Sequence, residues 1–297
     1  MALKFPALWI EVSPPRGIVS APMLERLGDL RGLVSAINLT DNALALVKMS
    51  ALAFAAMIKH RLGMPVVLNM TCRDRNLLAL KADLLGAAAL GVDAVVALSG
   101  DRRGAGEFCG VHEVDGVGLL GVIEALNRGD TGEGKTLLQR APALLAGAVV
   151  NPNRKNWERE LELLERKVAA GARFAITQPV FDVERAMNFL DAVRGLPLRI
   201  VMGILPIKGA AMARYLKERI RDLRGLHAYL DRYAAMSDGQ ARSYSLSQSL
   251  ELMEALRGRV AGFNIMSGGG PSLAIELARL FTRESTWQAD SRPVAGC

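Results

Sequence analysis

The chain has 297 residues, 51% hydrophobic and 23% charged, a balance that supports a large buried core and excludes global disorder. Its formal charge of +7 comes with only 5% aromatic residues, so the stacking platforms of nucleic-acid binders are missing and no nucleic-acid partner is expected. Three scattered cysteines (Cys72, Cys109, Cys297), no signal-peptide pattern and no apolar run near the roughly 20 residues that span a bilayer predict a soluble cytoplasmic protein without disulfides or a membrane partner.

The first predicted strand, near 7–12, carries Glu11 within Leu8-Trp9-Ile10-Glu11-Val12. A carboxylate in such a run is costly to bury. Desolvation would raise its pKa, which suits a general acid, although a salt bridge inside the fold would also account for it. Further strands are predicted near 33–39, 65–71, 93–99, 144–150, 172–177, 198–204 and 260–266. Amphipathic helical segments at 43–62, 75–90, 156–170, 182–194 and 271–282 alternate with them. That alternation predicts an α/β fold of parallel βαβ units, and eight repeats predict closure into a (βα)8 TIM barrel. An open doubly wound sheet is the competing architecture. The stretch 208–258, between strands 7 and 8, is too long for one crossover and should hold two or three extra helices. One barrel domain is expected over 1–285, with a flexible tail over 286–297.

Two more strand ends carry a single polar group after an apolar run. Ala97-Leu98-Ser99-Gly100-Asp101 places Asp101 after the fourth strand, where it could serve a ligand or cap a helix. Ala175-Ile176-Thr177-Gln178-Pro179 places Gln178 after the sixth, where it could bind a ligand or satisfy strand-end backbone groups. Strand ends of a βα barrel converge on one mouth, so Glu11, Asp101 and Gln178 could share a pocket. The glycine-rich loop over 100–115 holds His112, a candidate ligand contact, whereas His60 and His227 lie on helical segments and read as surface residues. Gly129 to Thr136 fits the phosphate-loop pattern G-x-x-x-x-G-K-[ST], but the residues before it, Val117 to Asn127, look helical. An ordinary connection is therefore expected. Ser267 to Ser272 could bind phosphate at a helix N-terminus or simply start that helix. Lysines and arginines at helical spacing, such as Arg154, Arg159, Arg166 and Lys167, read mainly as solvated helix faces. No residue set has metal-ligand spacing and no Ser-His-acid set is evident, which favours metal-independent chemistry.

These junctions, together with Asn69 to Asn76, Asn151-Pro152-Asn153, Arg166 to Ala172, Ile176 to Asp182 and Gly203-Ile204-Leu205-Pro206, resemble the methylenetetrahydrofolate reductases. The likeness runs from Glu11 to about Arg279 and is close to the reductase halves of two-domain proteins that also carry a homocysteine methyltransferase. The resemblance implies a flavoprotein of one-carbon metabolism and methionine biosynthesis, holding FAD or FMN. NADH, NADPH or an electron-transferring partner subunit would reduce the flavin, and a homo-oligomer is expected. It further implies that 5,10-methylenetetrahydrofolate is reduced to 5-methyltetrahydrofolate, with Glu11 protonating the bridging nitrogen of the folate, Asp101 tuning charge beside flavin and pterin, and Gln178 holding the folate. Thr40, Asn69, Ser99, Gly100 and Asp101 would contact the flavin, as would His112, Asn151, Glu160, Arg166 and Lys167. The chain departs from the pattern in having Asn69 where many relatives have histidine and Thr40-Asp41 where a threonine-tyrosine pair is usual. A non-catalytic pterin-binding or partner-dependent subunit is the alternative reading.

Overall fold

The computed structural model describes residues 3–100, 109–132, 134, 136–137, 140–219, 227–268 and 270–284. Eight parallel strands pair in sequence order and close on themselves. They are β1 Ala7–Val12, β2 Ala36–Leu39, β3 Val66–Thr71, β4 Ala94–Leu98, β5 Leu145–Val150, β6 Phe174–Thr177, β7 Arg199–Ile204 and β8 Gly262–Met266. The pairing of Leu8 in β1 with Phe263 in β8 completes the ring and removes the open-sheet alternative. Outside it lie α1 Ala21–Gly28, α2 Ala51–Leu62, α3 Leu77–Ala89, α4 Gly116–Asn127, α5 Trp157–Ala169, α6 Val183–Ala192, α7 Ala210–Arg219, α8 His227–Asp231, α9 Asp238–Ala255 and α10 Ser272–Glu284. Helices α7, α8 and α9 are the extra helices expected between β7 and β8. No helix among the described residues is long and apolar enough to cross a membrane.

Some elements are shorter than predicted, and local contacts show why. Helix α2 begins at Ala51 because the Ser50 hydroxyl accepts from Ala53 N–H, closing the N-terminus there. The eight residues before it, 43–50, belong to a loop that starts at Asn42, and Asn42, Leu44 and Ala45 all have positive φ. Strand β2 begins at Ala36 because Leu33 and Val34 are still bonded to the carbonyl of Leu30, in turns that follow α1. Helix α1 has no counterpart among the predicted elements, since its eight residues fall between two strand patterns.

Side chains in a strand alternate faces, so each strand sends every second residue into the lumen. Ala7, Trp9, Ala36, Val67, Ala94, Val96, Phe174, Ile176 and Val201 form that inner core. A larger cluster fills the space between barrel and helices. Trp9 and Phe174 meet edge to face at 5.5 Å across the lumen, and Gly147 of β5 makes room for them. A Cβ at Gly147 would lie 2.2 Å from the Phe174 ring. Gly147→Val is therefore expected to destabilise the protein by about 1–3 kcal/mol through overpacking. An unchanged denaturant midpoint would show that the ring has room to retreat.

Counting on by two from the inner core gives the layer above it. Trp9 leads to Glu11, Ala36 to Asn38, Val67 to Asn69, and Gly262 to Asn264. On β1, β2, β3 and β8 the lumen thus changes from apolar to polar within one step of the strand, at its C-terminal end, and this is where the site begins.

Candidate active site

Glu11, Gln178 and the β4 end meet around one cavity of about 390 Å³ at the C-terminal mouth. Glu11 is half-buried and Gln178 exposed. The backbone N–H of Gln178 continues the sheet by donating to Val150 O (2.8 Å), so its side chain is held over the cavity by a fixed strand end. Ser99 and Gly100 line the same space. Asp101 lies outside the described residues.

Inside this mouth two asparagines reach the Glu11 carboxyl and a third stands behind them. Asn264 Nδ2 donates to Glu11 Oε2 at 3.1 Å, and Asn38 Nδ2 approaches the same oxygen at 3.4 Å. Asn38 also donates to Asn264 Oδ1 (3.1 Å) and accepts from Asn69 Nδ2 (2.9 Å). Burial pushes the Glu11 carboxyl above the ordinary carboxylate range, and the Asn264 donor pulls it partly back. The result is an acid that holds its proton to higher pH than a surface glutamate and faces a ligand-sized space.

The cavity adjoins a larger one of about 1040 Å³, and Arg73, Ser99, Gly100 and Leu163 stand in both walls. Two such chambers in series suit a long, two-part ligand better than a compact one. The far chamber is walled by the positive-φ loop after β2 (Asn42, Ala45) and by His112, itself at φ +49°. Backbone in such conformations is held by its surroundings and concentrates at ligand-binding positions.

At family level, the methylenetetrahydrofolate reductase model matches residues 4–261. The chain belongs to that family. It is 31% identical over 159 residues to the 5,10-methylenetetrahydrofolate reductase of Salmonella typhimurium, covering 53% of this chain and 49% of that one. A probable methylenetetrahydrofolate reductase (NADPH) of Caenorhabditis elegans is 28% identical over 213 residues, covering 67% of this chain and 30% of the relative. The chain spans about half the length of the curated bacterial relatives it matches. Among solved structures, a Clostridium thermocellum protein described as binding two copies of 5-methyl-5,6,7,8-tetrahydrofolic acid covers 94% of each chain with a TM-score of 0.61. At 18% identity that likeness speaks to the fold alone.

Most positions that the sequence resemblance marks as expected flavin contacts reach these two cavities. Thr40, Asn69, Asn151, Glu160 and Lys167 line the smaller one, His112 the larger, and Ser99 and Gly100 both. Arg166 is exposed on α5 and lines neither. Their neighbours restrict what they can do. Ser99 Oγ accepts from Gly116 N–H, fixing the start of α4 against the β4 end. Glu160 accepts from Asn151 N–H (2.9 Å) and pairs with Arg154 (3.3 Å). Lys167 Nζ donates to Val149 O at 2.6 Å, and burial lowers its pKa.

The residues present fit a flavin nucleotide. Arg73, Arg154 and Lys167 bring cationic donors to the walls, as a phosphate-bearing group requires. Gly100, at φ +88°, lets the backbone turn tightly between the chambers. The departures at Asp41 and Asn69 have a structural account. Asp41 is buried, accepting from Thr71 N–H and Oγ1 and pairing with Arg75 at 2.7 Å. Asn69 Nδ2 is committed to Asn38 Oδ1 and Leu39 O.

Sequence reasoning passed over Asn38, Asn264 and the Asp41–Arg75 pair. A signal existed for the asparagines: each is a lone amide inside an apolar strand, Ala36–Leu39 or Gly262–Met266, where an unpaired amide would be costly.

The phosphate-loop pattern follows α4 rather than a strand, and Gly132 N–H turns back to Asp130 Oδ1 (2.7 Å). Among the described residues no helix opens between Thr136 and β5. Lys135 lies outside the described residues, and the connection shows neither part of a phosphate-loop scaffold. His60 is exposed as expected, but His227 is half-buried, with Nε2 lacking a hydrogen-bond partner among the described residues.

Proposed function

We propose that this chain is a flavin-dependent reductase that converts 5,10-methylenetetrahydrofolate to 5-methyltetrahydrofolate. The observation that carries this reading is the Glu11 carboxyl, raised by burial and facing Gln178 across one cavity at the mouth of a reductase-family barrel. Glu11 donates its proton to the bridging nitrogen of the folate, opening the five-membered ring so that the methylene carbon becomes electrophilic. The exposed amide of Gln178 offers a donor and an acceptor to the pterin edge, orienting it against Glu11. Bound flavin, as FAD or FMN, supplies the hydride. Lys167 and Arg73 hold the phosphate-bearing part, and His112 lies along the far chamber. Asp101, next to the Gly100 turn, adds a negative charge beside the reacting rings.

The electron donor is NADH, NADPH or an electron-transferring partner subunit, and the protein acts in the cytoplasm as a homo-oligomer, with residues 1–285 as its barrel domain. The commitment of Asp41 and Asn69 to internal hydrogen bonds favours a second reading, a pterin-binding subunit that depends on a partner for electrons.

The test is direct. The purified chain, after reconstitution with flavin, is expected to show a flavin spectrum that a nicotinamide donor bleaches and methylenetetrahydrofolate restores. Pterin binding without turnover from any nicotinamide donor selects the partner-dependent reading. No flavin bound under any condition ends the first reading and leaves a non-catalytic pterin-binding subunit, which pterin binding then tests.

A further inference from the structure

The three asparagines form a chain whose hydrogen-bond direction can be deduced from one fixed point. The carbonyl of Leu39 can only accept, and it receives Asn69 Nδ2 at 2.6 Å. The Asn69 amide is therefore oriented with its NH2 inward, and its second N–H donates to Asn38 Oδ1 (2.9 Å). That makes the oxygen of Asn38 an acceptor, so its NH2 must face the other way, to Asn264 Oδ1 (3.1 Å) and Glu11 Oε2 (3.4 Å). Asn264, accepting on its own oxygen, turns its NH2 to Glu11 Oε2 (3.1 Å). A backbone carbonyl on β2 thus sets the sense of a relay that ends on one oxygen of the acid.

All three amides are buried: Asn38 is 1% exposed, Asn69 6% and Asn264 0%. Water does not compete for these bonds, and a flipped amide would oppose two oxygens or two NH2 groups.

We propose that the relay holds the transferable proton of Glu11 on Oε1, the oxygen to which neither asparagine donates, with Asn264 as a positioning residue that acts through the carboxyl. An oxygen already receiving two N–H donors has nowhere to direct an O–H. The neutral acid therefore carries its hydrogen on Oε1, and after transfer the same donors stabilise the carboxylate. None of the other described charged groups lining the cavity is paired with Glu11: Asp41 pairs with Arg75, Arg73 with Asp74, Arg154 with Glu160, and Lys167 donates to Val149 O. Asn264 is not in the cavity wall, so it influences the folate only through Glu11. This inference deepens the reductase reading and rests on it for its kinetic part.

The experiment replaces Asn264 in the full chain and reads the Glu11 carboxyl by ¹³C NMR, the signal being assigned by its loss in E11Q. In Asn264→Leu the Glu11 midpoint is expected to rise by about one to two pH units, what one hydrogen bond to a charged group is worth. Folate reduction should slow about ten- to a hundred-fold, with flavin reduction by its donor unchanged. In the E11Q background the Leu substitution should cost nothing further. Asn264→Asp, which keeps the shape, guards against misfolding of the Leu variant. There the two carboxyls should share a proton at Oε2 and titrate in two steps as a pair, with folate reduction again slowed. A Glu11 midpoint unmoved by Leu, independent titrations in Asp, or an undiminished Leu effect in the E11Q background overturns the proposal. The titration needs neither flavin nor folate. A shifted midpoint in a chain that reduces no folate upholds the relay and discards the reductase reading.

Discussion

Glu11→Gln is expected to slow folate reduction by about 10²–10⁴-fold, the usual contribution of a positioned general acid. Flavin reduction by its donor should remain within a few-fold, because that step needs no proton from this carboxyl. Rapid mixing of the two half-reactions separates them. Equal loss in both would assign Glu11 to cofactor binding and remove it as the acid. The same substitution has an opposite consequence for stability. The folded state raises the Glu11 pKa above its unfolded value, so folding takes up a proton between the two. The resulting penalty is absent below the ordinary carboxylate range, grows as pH rises above it, and levels off past the raised folded pKa. Glutamine carries no such penalty. The melting temperature of Glu11→Gln relative to the native chain should therefore climb as pH rises above the ordinary carboxylate range, and level off past the raised folded pKa. A flat difference over that interval would show that the acid is not destabilised by burial.

Arg75→Ala should be the most destabilising single change near the mouth, at about 3–5 kcal/mol, or roughly 10 °C in melting temperature. The side chain of Asp41 is only 2% exposed, and Arg75 reaches both its oxygens, at 2.7 and 3.3 Å. Among the described residues, removing the guanidinium leaves a buried carboxylate with the N–H and hydroxyl of Thr71 as its hydrogen-bond donors. The loss is one of an uncompensated charge, so neutralising it should help. The double variant Asp41→Asn/Arg75→Ala is expected to recover part of the stability, a non-additivity that a double-mutant cycle measures. A cost under about 1 kcal/mol for Arg75→Ala would reduce this pair to the rank of a surface bridge. Because Asp41 and Thr71 stand in the cavity wall, the pair also ties the β2 end to the β3 end, and the flavin-binding walls should loosen with it.

Much of this was legible residue by residue. Short apolar runs such as Ala94–Leu98 announce strands buried on both faces, and Glu11 stands out because nothing else in its run is charged. The glycine pattern at 129–136 follows a helix rather than a strand, as the residues before it suggest, and so lacks the strand platform of a phosphate loop. The segment over 43–50 was read as helix and is a loop, because its periodicity matches a helix while Ser50 supplies the N-terminal cap beyond it. His227 likewise has a helical setting, but whether its ring is covered depends on what packs over it.

What the sequence determined by itself is the eight strands, most of the helices, and the presence of an acid, an amide and small turn residues at their junctions. Those are local matters, decided by apolar period, capping and backbone freedom within a few residues. Only the closed ring decided that Asn264, 253 positions away, would donate to Glu11, and that Asn38 and Asn69 would complete the relay. Lateral neighbours in a barrel follow from closure and register, which are properties of all eight strands at once, and no local preference encodes them.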